Sequence, residues 1–410
     1  MTSITKCDNS ASDSRCFANG ETTSVDENLI RVTELTVLGE LPDPFCMNDG
    51  HRIDRVEEWA ARRRELYETA VELQYGTQPP PPEFLTVHPI CERLGTEYYL
   101  SSYRITTGTN EHPLSFLMYT FTPPCEGPYP AVVDGDLCFR YAYDKEFIRT
   151  FTDAGIMLVM FARTELADDI RRQGRGNGPL YQVYPQYTFG ALGAWAWGYS
   201  RCVDALEQLG VVDNRCIAFT GHSRGGKTAM LAGVLNERAT IVNPNETCGG
   251  GCGCYRLKMK AVTEDGNEDE SEDLAKLYRY DAGYWFGPQL GEYVGREQEL
   301  PFDSHELKAM VAPRILFVSE AASDIPANPV GSWMTTMAAH EVYDFLGVPQ
   351  NLYWYFRRGY HGHAIEDIQM LVNLIRHTAW GEPISDKLYR RPFPEPQRIF
   401  SWKNPHAGNQ

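Results

Sequence analysis

The sequence predicts a doubly wound α/β fold, a three-layer sandwich in which a mostly parallel sheet of roughly eight to ten strands lies between two layers of helices. Three observations carry this. Apolar runs of strand length alternate with helical patterns along the second half of the chain. One strand-to-helix junction is a serine turn flanked by glycines. A loop with two histidines separates the last strand-like run from the last helical one.

Taken in order, residues 1–28 are polar and rich in Ser, Thr, Asn and Asp, and read as a disordered tail. They lack the apolar stretch of a secretion signal, so the chain as written reads as cytoplasmic. Residues 29–395 read as a single domain with a helical and extended lead-in. Within it, Trp59, Leu66, Ala70 and Leu73 recur at helical spacing over 55–73, with Asp54 as expected N-cap, and Pro79 to Pro82 form a stiff connector. Strand-like runs follow at 116–119, 131–133, 156–161, 216–219, 257–262, 315–318 and 352–356. Helical patterns at 192–209, 227–235, 333–346 and 366–377 separate the later ones. Residues 396–410 read as a C-terminal tail. No internal repeat is evident.

The 410 residues suffice for one large α/β domain, and 42 % hydrophobic with 23 % charged residues is ordinary for a globular protein. A net charge of −17 argues against nucleic acid or an anionic membrane as partner. No run approaches the ~18–20 apolar residues of a membrane helix. The eleven cysteines are an odd number, and Cys202 and Cys216 fall on presumed core elements. Cys248, Cys252 and Cys254 cluster without a fourth zinc ligand nearby, which favours free thiols or one local disulfide over metal. Seven of the ten residues 264–273 are acidic, yet their spacing is not that of a calcium loop, so a solvated surface loop is expected.

The serine turn is Gly221-His222-Ser223-Arg224-Gly225-Gly226-Lys227, between the apolar 216–220 and the small and apolar 228–235. Strand, G-x-S-x-G, helix is the context of a nucleophile elbow, which defines the α/β-hydrolase fold. The flanking glycines are expected because a Cβ would strike neighbouring backbone. The elbow lifts Ser223 Oγ over the sheet edge at a helix N-terminus, where developing negative charge is favoured. A serine needs a base to take its proton, and the base needs an orienting acid. In this fold the chain order is Ser, acid, His. The base is therefore sought in the late loop, where His361 is preferred to His363. Glu246, 23 residues after Ser223, and Asp324, after the next-to-last strand, both reach the sheet end; Glu246 is preferred. No metal or organic cofactor is needed for such chemistry.

The elbow resembles the G-x-S-R-x-G-K of the glucuronoyl esterases, carbohydrate esterase family 15. The likeness extends to Ala194-Trp195-Ala196-Trp197-Gly198-Tyr199-Ser200-Arg201, to Leu300-Pro301-Phe302-Asp303-Ser304-His305-Glu306-Leu307 with Ala312-Pro313-Arg314, and to Leu41-Pro42-Asp43-Pro44-Phe45. It covers about residues 40 to 380. It implies hydrolysis of the ester between a lignin alcohol and the (4-O-methyl)glucuronic acid carried on xylan. The partner is then a small-molecule or oligosaccharide uronate ester. By the same resemblance Ser223 is the nucleophile and Glu246, in Pro244-Asn245-Glu246-Thr247, matches the acid. Many bacterial members carry the acid after a later strand instead, which keeps Asp324 as alternate. Arg224 matches the oxyanion arginine and Lys227 the sugar-binding lysine. A guanidinium beside an oxyanion is a strong donor, and Lys227 lies one helical turn from Ser223. Two departures stand out. The loop after the next-to-last strand has no Trp near the expected sugar, which leaves Trp285 as candidate platform. Relatives in that family typically act on plant cell wall outside the cell, so secretion is the alternative to the cytoplasmic reading. A carbohydrate acetyl esterase, or a silent carbohydrate-binding relative, are the other functions this scaffold could serve.

Overall fold

The computed structural model describes residues 30–170, 176–263 and 265–407; the expected tail over 1–28 and Glu264 lie outside them. Twelve strands occur among these residues: β1 Ile30–Val37, β2 Phe84–Leu94, β3 Tyr99–Gly108, β4 Pro113–Thr122, β5 Tyr129–Asp134, β6 Met157–Phe161, β7 Val212–His222, β8 Ile241–Asn245, β9 Leu257–Thr263, β10 Glu268–Glu270, β11 Ile315–Ala321 and β12 Leu352–Arg357. Nine of them form one sheet, ordered β12-β11-β8-β7-β5-β6-β4-β3-β2. From β6 to β12 every pairing is parallel, whereas β2, β3 and β4 join antiparallel at the far end. The parallel strands read as continuous apolar runs because both faces are covered. Val133, Phe219 and Val318 face one layer, while Val132, Ala218 and Phe317 face the other.

The larger layer holds α3 Ala191–Leu209, α4 Arg224–Leu235, α5 Ser304–Ala309 and α6 Pro329–Phe345, with α1 Trp59–Leu66 alongside. The opposite layer holds α2 Lys145–Thr152 and α7 Ile365–Trp380. The doubly wound α/β-hydrolase architecture expected from the alternation is therefore the one observed.

Several details differ from the sequence reading. The run at 257–262 does not join the main sheet. It is β9, the centre of a separate antiparallel sheet ordered β1-β9-β10. Its strict alternation of buried and less buried residues is that of a strand with one face against the core. The helix at 55–73 begins with a short 3-10 turn and passes into a wider turn at Tyr67–Glu72. Asp54 does not cap it. Instead Glu58 Oε2 reaches back to accept the N–H groups of Asp54, at 3.3 Å, and Arg55, at 3.1 Å. The acidic run is not one loop. Glu268, Asp269 and Glu270 form the exposed edge strand β10, Ser271 is buried, Glu272 turns inward, and Asp273 caps a short helix.

Residues 396–407, set apart by sequence as a tail, lie against the lead-in. Leu41 N–H donates to Ile399 O at 3.1 Å, and Trp402 Nε1 donates to Leu41 O at 2.8 Å. The Leu300–Leu307 block works here as scaffold. Asp303 accepts from the N–H groups of Tyr255, at 3.0 Å, and Arg256, at 3.2 Å, and His305 pairs with Pro42 O at 2.9 Å. The nine cysteines among the described residues are free thiols, those at 248, 252 and 254 buried. Among the described residues no helix is long and apolar enough to cross a membrane.

Candidate active site

The C-terminal ends of the parallel strands bring the predicted residues to one edge, as the crossovers of this topology require. Ser223 follows β7, Glu246 follows β8, Asp324 follows β11, and His361 follows β12. Ser223 sits at φ 58° and ψ −119°, a strained conformation for a residue with a Cβ. Its surroundings hold it there. Ser223 N–H donates to Asn245 O, and Lys227 N–H donates to Ser223 O, both at 2.9 Å. The flanking glycines are needed for close approach: a Cβ on Gly221 would lie 2.5 Å from Gly225 O, and one on Gly225 would lie 2.1 Å from Asp136 Oδ2.

His361 Nδ1 lies 2.6 Å from Asp324 Oδ2 and 3.3 Å from Glu246 Oε2. Sequence reasoning preferred Glu246; the structure brings both acids to the imidazole, with Asp324 the nearer. Glu246 is already engaged, because its carboxylate pairs with Arg357 and accepts from Gly362 N–H at 2.8 Å. Arg357 itself shapes the loop. It binds Asp367 through Nε at 2.8 Å and donates to the carbonyls of Arg358 and Tyr360. No pattern in the sequence marks that role. A carboxylate at Nδ1 fixes the tautomer and leaves Nε2 as the basic nitrogen. Burial alone would lower the imidazole, but the hydrogen bonds and charges of Asp324 and Glu246 lift it to about 10. Burial pushes Glu246 up to about 7 against the pull of His361 and Arg357.

His222, beside the nucleophile, lies with its ring centroid 4.5 Å from that of His361. Asn245 Nδ2 donates to Ser319 Oγ at 3.0 Å, so Asn245 Oδ1 accepts the Nδ1–H of His222 at 2.7 Å. Burial and the neighbouring His361 lower His222 to about 4, which keeps it neutral. His363 turns away from both acids and packs against Tyr141, Phe147 and His222. The donor atoms of His222, Glu246 and His361 lie within 4.8 Å of one another, as do those of Cys248, Asp324 and His361. Both sets turn on His361, and the 2.6 Å contact within the second is a proton-sharing one.

Next in sequence to the serine, Arg224 lies over Trp285, with its guanidinium carbon 5.1 Å from the ring centroid. Lys227 Nζ is 5.6 Å from the same ring. It also stands 3.9 Å from Glu272 Oε2, an oxygen with no hydrogen-bond partner among the described residues. Glu272 and Asp169, which binds Arg224 through both oxygens at 3.1 and 3.2 Å, are site residues the sequence reading missed. Glu272 was hidden inside the acidic run. Asp169 stands in a loop with no periodicity to mark it.

A doubly wound sheet with a strained serine elbow at its edge, and an imidazole with its carboxylates at the same edge, is the architecture of the α/β-hydrolase class. Comparison with known proteins narrows this. A family model described as fungal glucuronyl esterase matches residues 105–347, and the chain belongs to the glucuronyl esterase family. A 4-O-methyl-glucuronoyl methylesterase of Podospora anserina is 30 % identical over 80 % of this chain and 64 % of its own length. One of Schizophyllum commune is 30 % identical over 79 % of this chain and 78 % of its own. The chain thus spans just under two thirds of the Podospora protein. Among solved structures, a family 15 glucuronoyl esterase from Caldicellulosiruptor kristjansonii superposes with a TM-score of 0.77 at 27 % identity, covering 90 % of this chain and 97 % of that one. The glucuronoyl esterase catalytic domain from Hypocrea jecorina gives 0.72 at 26 %, covering 91 % and 98 %.

Proposed function

We propose that the protein is a serine esterase that hydrolyses esters of (4-O-methyl)glucuronic acid, on a free sugar or an oligosaccharide. The observation that carries this reading is the 2.6 Å contact of Asp324 with His361 Nδ1, at the sheet edge where the Ser223 elbow stands. The names of the relatives supply the substrate class.

In this reading His361 Nε2 takes the proton of Ser223 Oγ as that oxygen attacks the ester carbonyl. The carbonyl oxygen becomes an oxyanion held by the backbone N–H and the guanidinium of Arg224. The C–O bond to the alcohol then breaks, and the alcohol leaves with the proton from His361. Water, giving a proton to the same nitrogen, attacks the acyl-enzyme; the C–Oγ bond breaks, the imidazole returns that proton to Ser223 Oγ, and the uronic acid is released. Asp324 orients the imidazole, and Glu246 shares its positive charge from the second side. Lys227 and Glu272 stand far enough apart for one sugar hydroxyl to accept from the ammonium and donate to the carboxylate. Trp285 gives the sugar an apolar floor.

The test is Ser223→Ala. It should abolish turnover of benzyl glucuronate while the melting temperature stays within a few degrees of the parent; undiminished turnover refutes the reading. Comparison with an acetylated xylo-oligosaccharide separates a uronate esterase from an acetyl esterase.

A further inference from the structure

Four alternating charges run beside the elbow and reach it on both sides of Ser223. Asp136 Oδ2 accepts the His222 backbone N–H at 2.9 Å. Its other oxygen takes Arg163 Nε at 2.8 Å. Arg163, fully buried, donates through Nη1 to Asp169 Oδ2 at 3.1 Å. Asp169 in turn holds Arg224 Nη1. Asp169 also accepts from Tyr284 OH at 2.7 Å and from Trp285 Nε1 at 3.4 Å. Burial would raise its carboxyl, but Arg163 and Arg224 outweigh that and keep it below its ordinary value, hence ionised. One carboxylate therefore collects two cations, a phenol and an indole.

Two of those four donors, Arg224 and Trp285, carry substrate-facing roles in the esterase reading, on which this inference rests. We propose that Asp169 is a positioning residue: it takes Nη1 of Arg224 and ties Trp285 beneath the guanidinium, so that the remaining N–H groups of Arg224 stand ready for the oxyanion. Nε and Nη2 of Arg224 make no hydrogen bond among the described residues, and the side chain is 25 % exposed. An untethered arginine at such a mouth would sample many rotamers, and its ordering would fall on the transition state. A donor fixed beforehand costs nothing at that moment. Arg163 makes the tether stiff, because it links Asp169 to the carboxylate that holds the elbow backbone.

A double-mutant cycle tests this. Asp169→Asn keeps the shape but sets an amide NH2 among donors. It should lower kcat on benzyl glucuronate about tenfold to a hundredfold, with KM changed less than about threefold. In an Arg224→Met background the same substitution should cost less than about threefold in kcat, since what it positions is gone. Equal losses in the two backgrounds would mean that Asp169 acts by general packing and would overturn the proposal, as would parental kcat in Asp169→Asn alone. If Asp169→Asn does not fold, Tyr284→Phe takes its place, because it removes a donor to Asp169 without touching Arg224. The loss is then about threefold in the parent and none beside Arg224→Met. Parental kcat in that variant overturns the proposal. Parental kcat in Arg224→Met defeats the role given to Arg224, and this inference with it. A parent protein that leaves the substrate intact defeats the esterase reading first.

Discussion

At the scale of single residues the proposed mechanism turns on the imidazole, whose charge state would then decide the pH dependence. His361 faces Asp324 and Glu246, with neutral His222 on its other flank and Arg357 behind Glu246. The carboxylates raise its pKa, so it keeps its proton to higher pH than a free imidazole and cannot accept that of Ser223 there. The rate should therefore climb as pH rises through the imidazole's range. Asp324→Asn removes one carboxylate, so the climb in kcat/KM on benzyl glucuronate, followed from pH 5 to about 10, should begin at lower pH than in the parent. A limb that does not move would exclude Asp324 as the group that sets it. Much of this site was legible in the sequence. Ser223 was readable because a tight turn admits glycine alone at its flanks, and His361 because it follows the last strand. Sequence could not rank the two acids: they follow neighbouring parallel strands, Glu246 after β8 and Asp324 after β11, and what separates them is the side chain of Arg357. Asp169 was beyond reach, since its contacts are with residues 55 and 115 positions away, Arg224 and Tyr284.

At the scale of elements, the strand ends carry the site only as firmly as the helices behind them are seated. The turn bearing Asp324 runs straight into α6 through Asn328, which adopts φ 59° and caps the helix by accepting Gly331 N–H at 3.0 Å. The same side chain donates to Leu257 O at 2.7 Å and to Cys254 O at 3.2 Å, and so ties α6 to the small sheet. Asn328→Ala removes the cap and leaves two buried carbonyls short of a donor. It should cost about 1–3 kcal/mol in urea unfolding, an amount that Asp324→Asn should not approach by cap loss. Long helices and the parallel strands were evident from sequence because apolar periodicity records burial on fixed faces. β9 was assigned to the wrong sheet because periodicity says which face is buried and is silent on which strand lies alongside. The edge of the 55–73 helix was misread for a related reason: Asp54 has the right chemistry for a cap, but Glu58 reached the same N–H groups from inside the helix.

At the scale of the whole molecule, two layers of helices close over one sheet, and residues 396–407 pack against the lead-in, with Trp402 set against Phe45 and His305. The small sheet beside it ends in β10, where Glu268, Asp269 and Glu270 stand exposed in succession. A border strand offers unpaired peptide groups to any similar strand that drifts near, and a row of negative side chains repels such a visitor. The three acidic residues of β10 are therefore placed to disfavour such edge-to-edge pairing. Replacing the three by Thr, Val and Thr should leave the ester chemistry untouched at low concentration, yet let concentrated solutions cloud and scatter light as one molecule's rim recruits the next.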